Sequence, residues 1–408
     1  VRRMLLDMKS RVEGLRARAS AWSPARAAAE TQVPAEVIEA FAREYGTTRP
    51  SAIRINYGLN RAAGGGNAVR LVTCLPALTG DWRYVGGGAQ LSSSGTYPAR
   101  GALLTRPEMI RPGTRTINMS ALGEALKPDL GPPVKALYVY NSNPAAVAPD
   151  QEAVLRGLAR EDLFVAVHEL FHTDTVDWAD IVLPATTMLE HTDILKSYGH
   201  LRVAINRPAI EPLGESRSNT EVFRALAAHM GLSDSRLFES DEALLEQAFD
   251  WNHPRMQGLS LRKLDRMAHQ RLNVPDDWAP FANGGFPTPS GKCEFYSESE
   301  KKAGRDPLPR YVPPREGVSS NPELARRYPL AFISPPAHHF LNSTFAGQET
   351  FVKREGGGPS LILHPDDARA RGITDGALVK TFNDRGAFFA RARVSDSARQ
   401  GVVVGLSI

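Results

Sequence analysis

His168-Glu169-Leu170-Phe171-His172 places two imidazoles four residues apart with a carboxylate beside the first, and Glu190-His191 follows in the same stretch. On a helix that spacing sets both rings on one face, where they could hold zinc, with Glu169 acting on a metal-bound water and Glu190 as third ligand. The surrounding elements argue for another arrangement. Leu163-Phe164-Val165-Ala166-Val167 is a continuous apolar run bounded by polar residues, which predicts a strand covered on both faces. Thr173-Asp174-Thr175, after the motif, favours turns and caps over helix interiors. The pentapeptide then reads as a strand-end loop in which Glu169 hydrogen-bonds a ribose, as the acid after a nucleotide-fold strand does. A zinc hydrolase is the remote alternative.

The elements that would position these groups follow an α/β grammar. A second buried run, Ala179-Asp180-Ile181-Val182-Leu183, is stopped by Pro184, and Ala136-Leu137-Tyr138-Val139-Tyr140 is another buried strand. The latter ends in Asn141-Ser142-Asn143-Pro144, where asparagines accept a turn backbone and offer donors and acceptors. A helix over 150–158 returns the chain, completing a βαβ unit with the strand ends at Asn141 and Glu169 side by side. Upstream, an exposed helix covers 1–18. Pro34 starts another, with Val37, Ile38, Phe41 and Tyr45 as its buried stripe and Gly46 as its stop. Ile53, Ile55 and Tyr57 alternate in a strand entering Gly58-Leu59-Asn60-Arg61. Gly64-Gly65-Gly66 reads as a flexible helix entry, Asn67 as a cap, and Gly80 as the end of a helix strained by Pro76. Gly86-Gly87-Gly88 opens a Gly/Ser-rich loop to Gly95. The polar run 212–219 caps a helix over 220–230 whose buried face is Val222, Phe223, Leu226 and Met230, ended by Gly231; two more helices lie within 240–272.

Residues 283–329, rich in Pro, Gly and charge, read as a linker in which Lys292-Cys293-Glu294-Phe295-Tyr296 is a first strand. From Leu330 the period changes to short strands and tight turns. Leu361-Ile362-Leu363 leads into a short helix started by Pro365, Asp366 and Asp367 and stopped by Gly372. Residues 378–382 and 387–394 flank Asn383-Asp384-Arg385-Gly386 as a hairpin. A small β-barrel is expected, entered at Phe332-Ile333-Ser334 with the polar loop 335–344 exposed at its mouth.

A chain of 408 residues exceeds one core and predicts two or three domains. Its 42% hydrophobic and 23% charged residues are ordinary for a globular protein, and no apolar run reaches the length of a bilayer span. The 49 basic residues barely exceed the 45 acidic and form no block, which favours anionic small ligands over nucleic acid. Cys74 and Cys293 form no CxxC pair and suggest neither a disulfide framework nor a metal cluster; Cys74, among Leu71, Val72, Leu75 and Leu78, reads as a small buried hydrophobe. The chain starts at Val1 and stops just after the strand-like Val402-Val403-Val404, so both ends read as cut, and an export signal would precede Val1.

Together the stretches INYGLNRAAGGGNAVR, ALTGDWRYVGGG, ALYVYNSNPA, DLFVAVHELFHTDTVDWADIVLPATTMLEH, GESRSNTEVFRALAAHMG, TPSGKCEFYS, AFISPPAHHFLNSTF and LHPDDARARGI resemble the molybdopterin oxidoreductase family, of the dimethyl-sulfoxide-reductase and formate-dehydrogenase type, in the family's order. The resemblance implies nucleotide-binding-like α/β domains with mainly parallel sheets followed by a C-terminal double-psi β-barrel. It divides the chain into the end of one cofactor-binding α/β domain (1–60), a second such region (61–282), a first barrel strand and linker (283–329), and a molybdopterin-dinucleotide-binding barrel (330–408). It implies molybdenum, or tungsten, held by two molybdopterin guanine dinucleotides in a longer oxidoreductase with a small-molecule substrate. An electron-transfer subunit, and an iron–sulfur cluster and metal ligand upstream of this chain, are also implied, so that the chain alone would not turn over substrate. By the same resemblance Tyr57, Gly58 and Arg61 form one turn touching a pterin dinucleotide, and Asn141 and Asn143 form the second. His168 and Glu169 take the pair that holds a guanosine ribose, and His191 lies near nucleotide phosphates. Asn219 falls where some members read guanine with aspartate. Ser334, His338, His339, Asn342, Ser343 and Thr344 belong to the barrel loop that wraps the pterins. The competing class is a non-catalytic structural subunit, like the metal-free relative inside respiratory complex I.

Overall fold

The computed structural model describes residues 12–197, 199–339 and 341–406. Residues 12–20 are helical, while the first part of the helix expected over 1–18 lies outside the described residues. α1 (Pro24–Thr31) and α2 (Ala35–Thr47) pack on each other, but the stripe expected on α2 is only partly buried: Val37 and Phe41 are 51% and 68% exposed. Ile38 and Tyr45 of the same stripe are half-buried, the Tyr45 hydroxyl fully, and α2 runs through Gly46 to Thr47. β1 (Ala52–Arg54) is shorter than its alternation suggested, because Tyr57 already belongs to a 3-10 turn over Tyr57–Arg61. α3 (Gly65–Thr79) begins at the triple glycine and not at Asn67, and it ends at Gly80 with φ 84°. Gly65 allows that start, since a Cβ there would lie 2.4 Å from the Leu59 carbonyl oxygen. The expected loop 86–95 contains β2 (Gly88–Gln90), parallel to β1. Beside it Trp82 meets Phe281 and Phe286 edge-on at 5.3 and 5.7 Å, with its indole nitrogen buried and without a described partner.

The centre is a parallel sheet of β3 (Ala136–Tyr140), β4 (Phe164–Glu169) and β5 (Ile181–Pro184), with β4 in the middle. α4 (Gln151–Leu158) crosses from β3 to β4 and packs Val154 and Leu158 on Val165 and Val167. Close approach of the preceding segment needs Gly157, where a Cβ would sit 2.5 Å from the Leu126 Cβ. Val165, Val167 and His168 of β4 are buried but Phe164 is 48% exposed, so the cover expected on both faces of that strand is incomplete; on the edges only Val139 of β3 is buried, and Ile181 and Val182 of β5, on opposite faces, are 46% and 49% exposed. Being edges explains part of this for β3 and β5.

An antiparallel sheet of β6 (Asp193–Lys196), β7 (Arg202–Asn206) and β8 (His269–Arg271) closes over a second core around Val203, Phe249, Met256 and Leu264. α5 (Asn219–His229) lies against β3 through Phe223, whose ring meets Tyr138 and Tyr140 at 5.5 and 5.1 Å. Its apolar face is less covered than its period suggested: Phe223, Leu226 and Met230 stay 39%, 42% and 65% exposed. Region 240–272 holds the two expected helices, α6 (Asp241–Gln247) and α7 (Leu261–Met267), and also β8, too short to leave an alternation.

Residues 292–296 form no strand. The 292–312 segment is instead a strap folded back on the N-terminal helices. Arg18 donates to the Asp306 carboxylate and the Leu308 carbonyl, Arg70 to the Pro307 carbonyl, and Asn67 Oδ1 accepts from the Arg310 N–H. The C-terminal part is a mixed sheet of β9 (Ala331–Ile333), β10 (Ser360–Leu363), β11 (Leu378–Asn383), β12 (Gly386–Val394) and β13 (Val402–Gly405), in the order β11-β12-β10-β13-β9. It curls: Phe332 on β9 meets Phe388 on β12 at 5.7 Å although two strands separate them in the pairing order. The β11–β12 hairpin and α8 (Pro365–Arg369), with Gly372 behind it at φ 63°, fall where expected.

Candidate functional site

The polar rim lies at the carboxyl ends of β3, β4 and β5. Tyr140 pairs with His168, so the turn that starts at Asn141 and the end of β4 at Glu169 lie at the same edge of the sheet. Asn141 adopts φ 50°, a left-handed backbone that asparagine tolerates, and its exposed side chain makes no hydrogen bond among the described residues. Asn143 is different. It is 5% exposed, its Oδ1 accepts from the Thr175 N–H (3.1 Å) and hydroxyl (2.7 Å), and its Nδ2 donates to Asp174 (2.9 Å). Its amide therefore clamps the turn after β3 to the loop after β4, and Thr175 extends the clamp by accepting from the Ala145 N–H.

His168 and His172 do not share a helical face. His168 is the penultimate residue of β4 and fully buried, whereas His172 lies in the following bend, 75% exposed at its side chain and 3.4 Å from Asp177. No group of metal-ligating side chains occurs among the described residues, and the zinc arrangement is excluded by the strand. His168 Nε2 donates to the Arg217 carbonyl (3.1 Å), which fixes the proton on that nitrogen and leaves Nδ1 buried without a partner. Thus His168 pins residue 217 to the sheet. Glu169 is only partly exposed; one carboxylate oxygen accepts from the Leu170 N–H (2.7 Å), and the other has no described partner.

Beyond β5 the rim continues through hydrogen bonds. The Ala185 N–H donates to the Glu169 carbonyl, and the Thr186 N–H to that of Arg217. Thr186 Oγ1 meets His191 Nδ1 at 2.8 Å. Glu190 is buried, with Oε2 accepting from the Thr187 N–H (2.6 Å) and Oε1 from the Leu213 N–H (2.7 Å); these hold its carboxyl below the usual carboxylate range. It is a brace between two loops and not a free acid. A capping box of Ser218 and Glu221 starts α5, so Asn219 occupies the first helical position, half-buried, at the positive end of the helix dipole.

Two other groups of expected residues lie apart. Tyr57, Gly58 and Arg61 are exposed on the turn between β1 and α3, and no described hydrogen bond ties that turn to the rim. In the C-terminal loop His339 is committed: its N–H and Nδ1 both meet Glu355 Oε1, at 2.6 and 2.9 Å, which lowers that carboxyl. His338 sits edge-on to it and exposed, Asn342 takes φ 51°, and the Thr344 N–H closes on the Leu341 carbonyl. Ser334 is exposed and Ser343 half-buried. The sheet carrying this loop reaches the rim's end of the central sheet, since the Arg385 carbonyl in the β11–β12 turn accepts from the Glu152 N–H in the first turn of α4. Thr175, Thr186 and Glu355 escaped the sequence reading. Only the spacing of Thr186 two residues after Pro184 could have signalled one of them.

Two family models match: molybdopterin oxidoreductase over residues 10–229, and the molybdopterin dinucleotide binding domain over 330–405. The chain is 42% identical over 393 residues to a probable oxidoreductase, YoaE, of Bacillus subtilis, covering 96% of this chain and 56% of that protein. It is 28% identical to a dimethyl sulfoxide/trimethylamine N-oxide reductase of Rhodobacter capsulatus, covering 91% and 50%. Among solved structures, acetylene hydratase from Pelobacter acetylenicus superposes with a TM-score of 0.77 at 24% identity, over 97% of this chain and 59% of that one, a likeness of fold. The chain spans about half the length of the curated relatives it matches.

Proposed function

Because the chain belongs to the molybdopterin oxidoreductase family, we propose that it is the cofactor-holding part of a molybdenum or tungsten enzyme whose metal is carried by two molybdopterin guanine dinucleotides. The reaction class is a two-electron oxidation, reduction or oxygen-atom transfer on a small molecule. Turnover, the electron-transfer partner and any iron–sulfur cluster belong, in this reading, to the longer protein. The dithiolene cofactor supplies the redox chemistry, and the protein binds and orients it. The observation that supports the reading is the register of β3 and β4, which ends at Tyr140 and His168 and so brings the uncommitted groups of Asn141 and Glu169 to the same end of the sheet.

The donor set fits such a ligand. The free oxygen of Glu169 can accept from ribose hydroxyls, and the exposed amide of Asn141 can both donate and accept. Asn219, on the first turn of α5 at the positive end of its dipole, would face an anionic or guanine-bearing group. His191 would stand near phosphates. His168 and Asn143, spent on internal partners, become positioning residues that set Arg217 and the 141–144 turn. Tyr57, Gly58, Arg61, Ser334, His338, Asn342, Ser343 and Thr344 keep their proposed cofactor contacts; His339 reaches a ligand only by its ring face or Nε2, since Nδ1 is held by Glu355.

The test is molybdenum and guanine-nucleotide content per protein in the purified full-length enzyme. Losing one or two charge-assisted hydrogen bonds, each about 1.5–3 kcal/mol, Glu169→Ala should lower cofactor occupancy about ten-fold or more. Glu169→Gln should retain part of it. Metal-free protein with normal folding would support the structural-subunit class, and full occupancy in Glu169→Ala would overturn the assignment of that residue.

A further inference from the structure

Cys74 and Cys293, 219 positions apart in sequence, are brought together in the fold, where the Cys293 sulfur reaches the backbone next to Cys74. Cys74 lies on the inner side of α3 and is 6% exposed, and Cys293 opens the strap that folds over that helix and is half-buried. The Cys293 thiol lies 3.9 Å from the carbonyl oxygen of Thr73, the residue bonded to Cys74, which brings the two thiols to the same place on α3. Both are free, and neither takes part in the cofactor rim. The strap beyond them is aligned on α3 through Arg70 to Pro307 and Asn67 to Arg310, which keeps Cys293 over the helix.

We propose that Cys74 and Cys293 are a redox-active thiol pair, which a low-molecular-weight disulfide such as oxidised glutathione converts into an intramolecular disulfide fastening the strap to α3. The Cys293 thiolate attacks one sulfur of the small disulfide, forms a mixed disulfide and expels one small thiolate, which takes a proton from water. Cys74 then gives up its proton and attacks the Cys293 sulfur, expelling the second small thiol. Two cysteine thiols lose two protons and two electrons, and the small disulfide takes up both to become two small thiols. The order follows from exposure and hydrogen bonding. Cys293 is the more accessible, and donation from Cys74 favours its thiolate, while the same hydrogen bond and burial keep Cys74 protonated. Once closed, the bridge would hold α3, and with it the Tyr57–Arg61 turn packed on Gly65, against the strap.

The experiment treats the reduced full chain with oxidised glutathione, blocks remaining thiols by alkylation, and maps the peptides by mass spectrometry. Expected is a single peptide pair joined through Cys74 and Cys293, separated again by dithiothreitol. In Cys74→Ser, Cys293 should accumulate as a glutathione adduct, because nothing resolves it. In Cys293→Ser, the buried Cys74 should stay unmodified until the chain is unfolded in urea, which also shows that the reagent is competent. Tryptic cleavage within 292–312 should slow about ten-fold in the bridged form. Wild-type thiols that both remain open to alkylation, a Cys293 adduct that persists with Cys74 present, or linkage only between chains would each overturn the proposal.

Discussion

Glu190 shows how far a side chain's chemistry depends on what touches it. Its two backbone partners hold the carboxyl below its ordinary value of 4.5, so the charged form is stabilised by folding. A folded-state value below the unfolded one means that the stabilisation is complete above about pH 4.5 and is lost as pH falls through the folded value. The difference in urea midpoint between wild type and Glu190→Gln should therefore be full near about pH 7 and close below pH 4.5. A constant gap across that range would remove the carboxylate from the account. The sequence disclosed Asn141 and Glu169 as neighbours, because apolar runs of strand length ended at both. It did not disclose that Asn143 and His168 turn inward. Each adjoins a solvent-facing polar residue, and only the tertiary partners Thr175 and Arg217 decide which way each points. Nor could it pair Cys74 with Cys293, since nothing local links a helix to a strap 219 positions away.

At the level of elements, strands, turns and helix ends were legible, and the covered face of each element was not. Periodicity reports that α2 and α5 are amphipathic, but burial needs a partner surface, and Phe41 and Met230 find none among the described residues. Glycines give the reverse case, in which tertiary contact decides an effect that propensity alone would misjudge. Alanine in place of a helical glycine ordinarily stabilises by about 0.5–1 kcal/mol. At Gly66, in the first turn of α3 with no atom within 4 Å of its would-be Cβ, Gly66→Ala should show that gain. Gly157→Ala should instead lose stability, because a methyl 2.5 Å from the Leu126 Cβ forces an overpacking cost of about 1–3 kcal/mol. Thermal unfolding of the two variants tests the contrast, which fails if both shift the same way.

For the whole molecule, the segment that composition marked as a linker is what joins its parts. The strap carries hydrogen bonds to residues from Arg18 to Arg70, whereas 313–320 beyond it is mostly exposed. Under native, reducing conditions trypsin should cut first after Arg315, with Arg305 and Arg310 following only once the strap lifts; early cleavage at Arg305 would mean that it does not dock. The same docking has an optical signature. Trp82 sits edge-on to Phe281 and Phe286, just upstream of the strap, in a place where its indole N–H meets neither protein partner nor solvent. An indole so enclosed emits toward the blue, and its emission moves to the red when water reaches the ring. Of the five tryptophans it is the one wedged between β2 and the approach to the strap, so the wild-type spectrum minus that of Trp82→Phe isolates its colour. That colour should redden at lower urea than the far-ultraviolet dichroism of the central sheet is lost, making Trp82 a built-in lamp for a joint that opens before the body it closes.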